Sequence, residues 1–128
     1  GAFIILVLGS VHLLYTFRAS KLHPRDADLI ARMRETSPVL TRETTIWKAW
    51  IGFNASHGFG AMLFGATYGY LAVAQSALLF SSTYLQALGL AMLIGYLALA
   101  RAYWFSIPRR GIALAAVLYV AALLVNWA

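Results

Sequence analysis

Hydrophobic residues fill four long runs of the chain, which are separated by one long polar stretch and two short connections. The runs cover approximately residues 2–17, 46–73, 84–105 and 111–127. A helix needs about 20 apolar residues to cross the hydrocarbon core of a bilayer, a length that two runs exceed and the first falls short of. The pattern predicts an all-α protein, a four-transmembrane-helix bundle that forms a single domain over residues 1–128.

The long polar stretch, residues 19–45, has the pattern of a short amphipathic helix. Pro24 can open such a helix, because a residue in the first turn needs no partner for a backbone N–H. Leu29, Ile30 and Met33 then share one face, and the nearby charged residues lie largely off it. We therefore predict an interfacial helix on the membrane surface between the first two spans, with a solvated connector as the alternative.

The composition argues against a water-soluble domain. The chain is 62% hydrophobic and 11% charged, whereas soluble domains carry roughly 25% charged residues. The net charge of +6 does not predict nucleic-acid binding, because the basic residues sit between apolar runs and are better explained by membrane topology. The chain has no cysteine, which excludes disulfide and thiol chemistry.

The charged residues lie in only two segments, 18–48 and 101–110, and the connection 74–83 between them is uncharged. Cationic linkers stay on the cytoplasmic side of a membrane. We therefore predict that both charged linkers are cytoplasmic and both termini outside, in a bacterial inner membrane. An interfacial aromatic belt is predicted at the charged side from Trp47, Trp50, Tyr103 and Trp104.

Small residues repeat every four positions along the second run, in two series. These are Gly52, Ser56 and Gly60, and then Ala61, Gly65 and Gly69. A stripe of small residues lets another helix backbone come close, which matters in lipid because hiding Leu from apolar solvent gains little. We predict that this run is the central helix and that both stripes pack within the chain rather than between copies.

Four of the polar residues inside the first two runs predict an intramembrane polar cluster. His12 and Thr16 are four residues apart, and Asn54 and His57 are three apart, so each pair shares a helix face. His12 and Asn54 each lie six residues from the charged end of their run, which is roughly 9 Å at helical rise. The four side chains are therefore expected to meet in the half of the bundle nearest the charged linkers.

Three interpretations of this cluster remain open. Its members can simply hydrogen-bond one another across helices, as buried polar groups in membranes do. His12 and His57 can instead be axial ligands of haem b, or belong to a proton or small-molecule pathway. A zinc site lacks a third ligand, because His23 lies in the polar linker. The acidic residues all lie between residues 26 and 43, so an enzyme is the less favoured class.

Two segments carry a resemblance to a known family. The stretch from Gly9 to Phe17 and the stretch from Trp50 to Gly58, which includes the GFNxSH motif, resemble an uncharacterised family of small bacterial four-helix integral membrane proteins. The similarity continues through Tyr103-Trp104-Phe105. The resemblance implies four spans and points to His12, Asn54 and His57, but the family has no established activity.

The sequence therefore predicts a polytopic membrane protein without evident catalytic machinery. A small chain of this kind is expected to be an accessory or structural subunit that packs against a larger membrane complex, such as a respiratory or photosynthetic electron-transport complex. The expected partners are the lipid bilayer and other transmembrane proteins. The alternative is a haem b redox protein, or a proton or small-molecule pathway, that uses His12 and His57.

Overall fold

The computed structural model describes the backbone of residues 1–127 and the side chains of residues 1–126. Over this range the chain is all-α, as predicted, and contains no strand. Besides a 3-10 turn at Ser20–Leu22, it forms six helices, which are α1 (Ala2–Arg18), α2 (Ala27–Glu35), α3 (Ile46–Ala74), α4 (Ser76–Ser81), α5 (Thr83–Tyr103) and α6 (Ser106–Trp127).

The four apolar runs form α1, α3, α5 and α6. The main difference between the predicted and the observed helices lies at the junction of α5 and α6. The third apolar run stops shortly before Pro108, which predicts a helix break at this proline. In the structure α5 ends at Tyr103, because Trp104 is extended (φ −110°, ψ 161°). Pro108 lies instead in the first turn of α6, which begins at Ser106. Proline is tolerated there, since first-turn N–H groups have no intrahelical acceptor.

The predicted amphipathic segment is the helix α2, but Pro24 does not open it. The helix begins at Ala27, because the carboxylate of Asp26 accepts hydrogen bonds from the backbone N–H groups of Asp28 (2.9 Å) and Leu29 (3.3 Å). An N-cap of this kind satisfies donors that the helix itself leaves unpaired.

The short helix α4 lies in the uncharged connection, where the sequence analysis predicted no element. Ser82 ends α4 and also caps α5. Its backbone N–H donates to the carbonyl of Leu78 (3.2 Å), while its hydroxyl accepts from the backbone N–H of Leu85 (3.3 Å). One residue therefore joins the two helices.

Among the described residues, two helices are long and apolar enough to cross a membrane, namely α5 and the α6 segment Ser106–Asn126. The helix α1 is apolar but has only 17 residues. The helix α3 is long, with 29 residues, but its Gly, Ser, Asn and His residues dilute its apolar character. The helices of the predicted bundle are therefore present, and two of them meet the requirement for a span.

The chain divides into two compact units. One consists of Gly1–Leu8 with the residues from Ala61 onward, and the other is Gly9–Gly60. The first unit holds the buried hydrophobic core, whose largest fully buried side chains are Ile5 and Leu93. The remaining core residues are Ala61, Phe64, Tyr68, Leu79, Ala100, Ile112 and Ala115.

Within each unit α1 and α3 run side by side, and glycine allows their backbones to approach. In the first unit a Cβ at Gly65 would lie 2.5 Å from the backbone nitrogen of Leu6. In the second unit a Cβ at Gly58 would lie 3.2 Å from the carbonyl oxygen of Gly9 and 3.2 Å from the nitrogen of Leu13. Close backbone contact of this kind is a common way for helices to associate in lipid.

The two predicted small-residue stripes differ in what they contact. The stripe of Ala61, Gly65 and Gly69 faces α1, because Ala61 is buried and a Cβ at Gly69 would lie 3.9 Å from the Cβ of Ala2. Its packing within the chain agrees with the prediction.

Two members of the predicted stripe of Gly52, Ser56 and Gly60, namely Gly52 and Ser56, do not pack as predicted. A Cβ at Gly52 would meet nothing within 4 Å, and Ser56 is exposed. Helix geometry explains the difference, because successive residues turn by about 100°. Gly58 then shares the face of Gly65, to within about 20°, whereas this stripe lies on the opposite side of α3.

We predict that Gly65→Ala destabilises the protein, because the new methyl group would overlap the backbone of Leu6. Overpacking of this kind costs about 1–3 kcal/mol. Gly95→Ala is the matched control, since a Cβ at Gly95 meets nothing within 4 Å. Thermal unfolding in detergent, followed by circular dichroism, should show a lower midpoint for Gly65→Ala only. Equal midpoints would contradict the close approach of α1 and α3.

Candidate functional site

The predicted polar cluster forms within the second unit, where α1 carries His12 and Thr16 and α3 carries Asn54 and His57. His12 Nε2 lies 3.1 Å from Asn54 Oδ1. The rings of His12 and His57 meet edge to face, with centroids 5.0 Å apart and an interplanar angle of 80°. Gly58 lies directly beside this pair, because a Cβ there would lie 3.4 Å from the ring of His12.

The amide of Asn54 determines which nitrogen of His12 carries a proton. Asn54 Nδ2 donates to the carbonyl oxygen of Trp50 (2.9 Å), one turn earlier on α3. The carbonyl Oδ1 of Asn54 therefore faces His12, and an amide oxygen can only accept a hydrogen bond. His12 Nε2 is then the donor, and the neutral ring is the Nε2–H tautomer.

Thr16 belongs to the cluster by position but bonds within its own helix. Its hydroxyl donates to the carbonyl oxygen of His12 (2.9 Å), four residues earlier. This bond is the usual way for a helical threonine to satisfy its hydroxyl group. Thr16 is 5% exposed, so the bond satisfies a donor that water does not reach.

The third histidine lies elsewhere in the second unit. The ring of His23 packs against Trp47 at 4.9 Å, so it does not join the other two. Among residues 1–127, no group of three His, Cys, Asp or Glu side chains is placed to hold a metal ion. The cluster therefore consists of two imidazoles, one amide and one hydroxyl, without a carboxylate.

The arrangement does not fit a haem held between His12 and His57. Axial ligands bind the iron through a ring nitrogen, from opposite faces of the porphyrin. Here the two rings touch edge to face at 5.0 Å, which leaves no gap for a porphyrin. His12 Nε2 is also engaged with Asn54. The contacts suit a hydrogen-bonded link between α1 and α3.

A second polar cluster lies in the first unit and was missed by the sequence analysis. The hydroxyl groups of Tyr68 and Tyr119 donate to the carbonyl oxygens of Leu85 (2.7 Å) and Gln86 (3.0 Å). Both rings lie close over Gly89, where a Cβ would overlap them. The amide of Gln86, which is 5% exposed, donates to the carbonyl oxygens of Phe80 (2.8 Å) and Leu79 (3.3 Å).

The sequence did contain a signal for this second cluster. Gln86 is an amide in the third apolar run, and Tyr68 and Tyr119 lie within the second and fourth. A polar group in apolar surroundings needs a partner. The partners, however, are backbone carbonyls, which every residue carries, so residue types alone did not identify them.

Comparisons of the chain with protein-family models, curated proteins and solved structures found no match. The resemblance to small four-helix membrane proteins, which rests on the GFNxSH motif, therefore stays a prediction.

We predict that Asn54→Leu weakens the link between α1 and α3 by removing the acceptor for His12 Nε2–H. Interhelical hydrogen bonds in membrane proteins contribute about 0.6 kcal/mol on average and up to about 1.7 kcal/mol. Asn126→Leu is the matched control, because Asn126 is exposed and donates within its own helix to Ala122 (2.8 Å). The free energy of unfolding of both variants is measured in mixed detergent micelles.

A double-mutant cycle with His12→Leu then isolates the pair. A coupling energy of similar size is expected between His12 and Asn54, since their atoms are in direct contact. Additive effects would show that the bond does not stabilise the fold.

Proposed function

We propose that the chain is an integral membrane protein in which α1, α3, α5 and α6 cross the bilayer. The apolar helices α5 and α6 support this assignment most directly. For α1 and α3 the support is their side-by-side packing within each unit and the large apolar side chains they expose, among them Phe3, Phe53 and Phe59. Such exposure is unfavourable in water, but it suits a helix that faces lipid.

The orientation follows from the charges. The segments 18–48 and 101–110 carry all ten Lys and Arg residues, so both are placed in the cytoplasm. The uncharged connection, which contains α4, then lies outside. A bacterial inner membrane is proposed because the resemblance is to bacterial proteins.

Cysteine labelling tests this orientation cleanly, because the chain has no cysteine of its own. Ser76→Cys and Ser20→Cys place single thiols at exposed positions in the connection and in the charged linker. A membrane-impermeant maleimide should label Ser76→Cys in spheroplasts, and Ser20→Cys only after permeabilisation. The reverse pattern would invert the proposed orientation, and labelling of both in intact spheroplasts would exclude the four-span arrangement.

Our proposal for the role of this protein is an accessory subunit that packs against a larger membrane complex. The observation that carries it is the stripe at Gly52 and Ser56, which contacts nothing in the chain at Gly52 and is exposed at Ser56. Phe53 beside it is 76% exposed. A helix face of small residues next to a large aromatic offers both close approach and a side chain to bury against a partner helix.

The polar cluster has a structural role in this proposal. His12 donates to Asn54, while Asn54 and Thr16 donate to backbone carbonyls. The bond between His12 and Asn54 links α1 to α3, and the other two bonds satisfy polar groups within their own helices. The cluster therefore supports a rigid subunit better than it supports catalysis or a proton pathway.

Gly52→Leu tests the accessory role. We expect it to remove this protein from a larger assembly in gently solubilised membranes, because the leucine side chain would block a partner helix. Gly95→Leu is the matched control, since Gly95 is also exposed with open space beyond its Cα. Native gel electrophoresis should show the large species for wild type and Gly95→Leu. Wild type that migrates alone, or a large species retained in Gly52→Leu, would contradict the proposal.

A further inference from the structure

A loop in the charged linker exposes two aliphatic side chains at its tip. Thr41 donates its backbone N–H to the carbonyl oxygen of Pro38 (3.3 Å), which forms a turn with Val39 and Leu40 at its centre. Val39 is 108% exposed and Leu40 is 93% exposed. No other large hydrophobic residue among those described is as exposed as either.

The base of this loop, residues 37–45, is fixed beside the start of α3. The backbone N–H of Ile46 donates to the carbonyl oxygen of Thr36 (2.8 Å), so the two ends of the loop lie next to each other. The ring of Trp47 then contacts the ring of His23 at 4.9 Å and the guanidinium of Arg34 at 5.2 Å. These contacts therefore hold the base of the loop in place below its exposed tip.

The charge around the loop favours an anionic surface. The segment 18–48 carries seven basic and four acidic residues, and the exposed Arg42 lies two residues after Leu40. Basic segments next to a membrane span are attracted to anionic lipid headgroups. Tryptophans such as Trp47 and Trp50, which lie in the first turns of α3, are enriched at the level of the headgroups.

We propose that Val39 and Leu40 insert into the cytoplasmic leaflet, where the surrounding basic residues bind the headgroups of anionic phospholipids. This inference rests on the proposed membrane crossing of α3, which places the base of the loop at the headgroups. A turn that carries apolar side chains can bury them at the boundary between headgroups and acyl chains, and basic residues add attraction to anionic lipid.

A fluorescent label at the tip tests the proposal in the full-length protein. Leu40→Cys is labelled with an environment-sensitive dye, and the protein is reconstituted into vesicles of phosphatidylcholine, with or without phosphatidylglycerol. Ala31→Cys is the matched control, because Ala31 is exposed on α2 and lies opposite its apolar face. We expect blue-shifted emission at position 40, and several-fold weaker quenching by aqueous iodide than at position 31, in the anionic vesicles.

Nitroxide-labelled lipids identify what covers the tip. Strong quenching of the dye at position 40 supports insertion, and Arg42→Gln should reduce the difference between anionic and neutral vesicles. Equal iodide quenching at positions 31 and 40 would overturn the proposal. A dye shielded from both iodide and lipid quenchers would also overturn it, because a protein would then cover the loop.

Carbonate extraction of the vesicles distinguishes failure of loop insertion from failure of the proposed membrane crossing. Protein that stays in the membrane while its loop remains in water contradicts only the insertion of the loop. Protein that is released by carbonate contradicts the proposed membrane spans themselves.

Discussion

The close approach of α1 and α3 is the constraint on which the other interactions between these helices depend. In both units a glycine of α3 faces the backbone of α1, and an added methyl group would meet backbone atoms rather than a flexible side chain. The bond between His12 and Asn54 forms only at this short separation, since a hydrogen bond weakens steeply with distance. The glycines therefore set the spacing, and the polar contact depends on it.

Polar side chains in this protein bond largely to backbone carbonyls. Thr16, Asn54, Ser56 and Asn126 each donate to a carbonyl three or four residues earlier in their own helix. A helix carbonyl can accept a second bond without losing the first, so this choice satisfies the side chain at little cost to the helix. In apolar surroundings it also removes the need for a partner on another helix.

Much of the fold could be predicted from the sequence, because helices in an apolar chain follow the length of the apolar runs. The predicted cluster likewise followed from spacing, since residues three or four apart must share a helix face. The predictions that were wrong or missing depended on which side of a helix packs, or on local hydrogen bonds to the backbone. Nothing in the spacing of Gly52 and Ser56 distinguishes the side that packs from the side that does not. The start of α2 is set by the hydrogen bonds of Asp26 to the backbone rather than by Pro24. Gln86 donates to backbone carbonyls, which cannot be identified from residue types.

The junction at Ser82 has a consequence for engineering the chain. Because its N–H ends α4 and its hydroxyl caps the start of α5, Ser82 is the only residue between the two helices. An epitope or reporter inserted here would have to give up one of the two caps. The loop at residues 37–45 should tolerate an insertion better. Its base is closed by a hydrogen bond from the backbone N–H of Ile46 to the carbonyl oxygen of Thr36, and its length is not set by two helix caps.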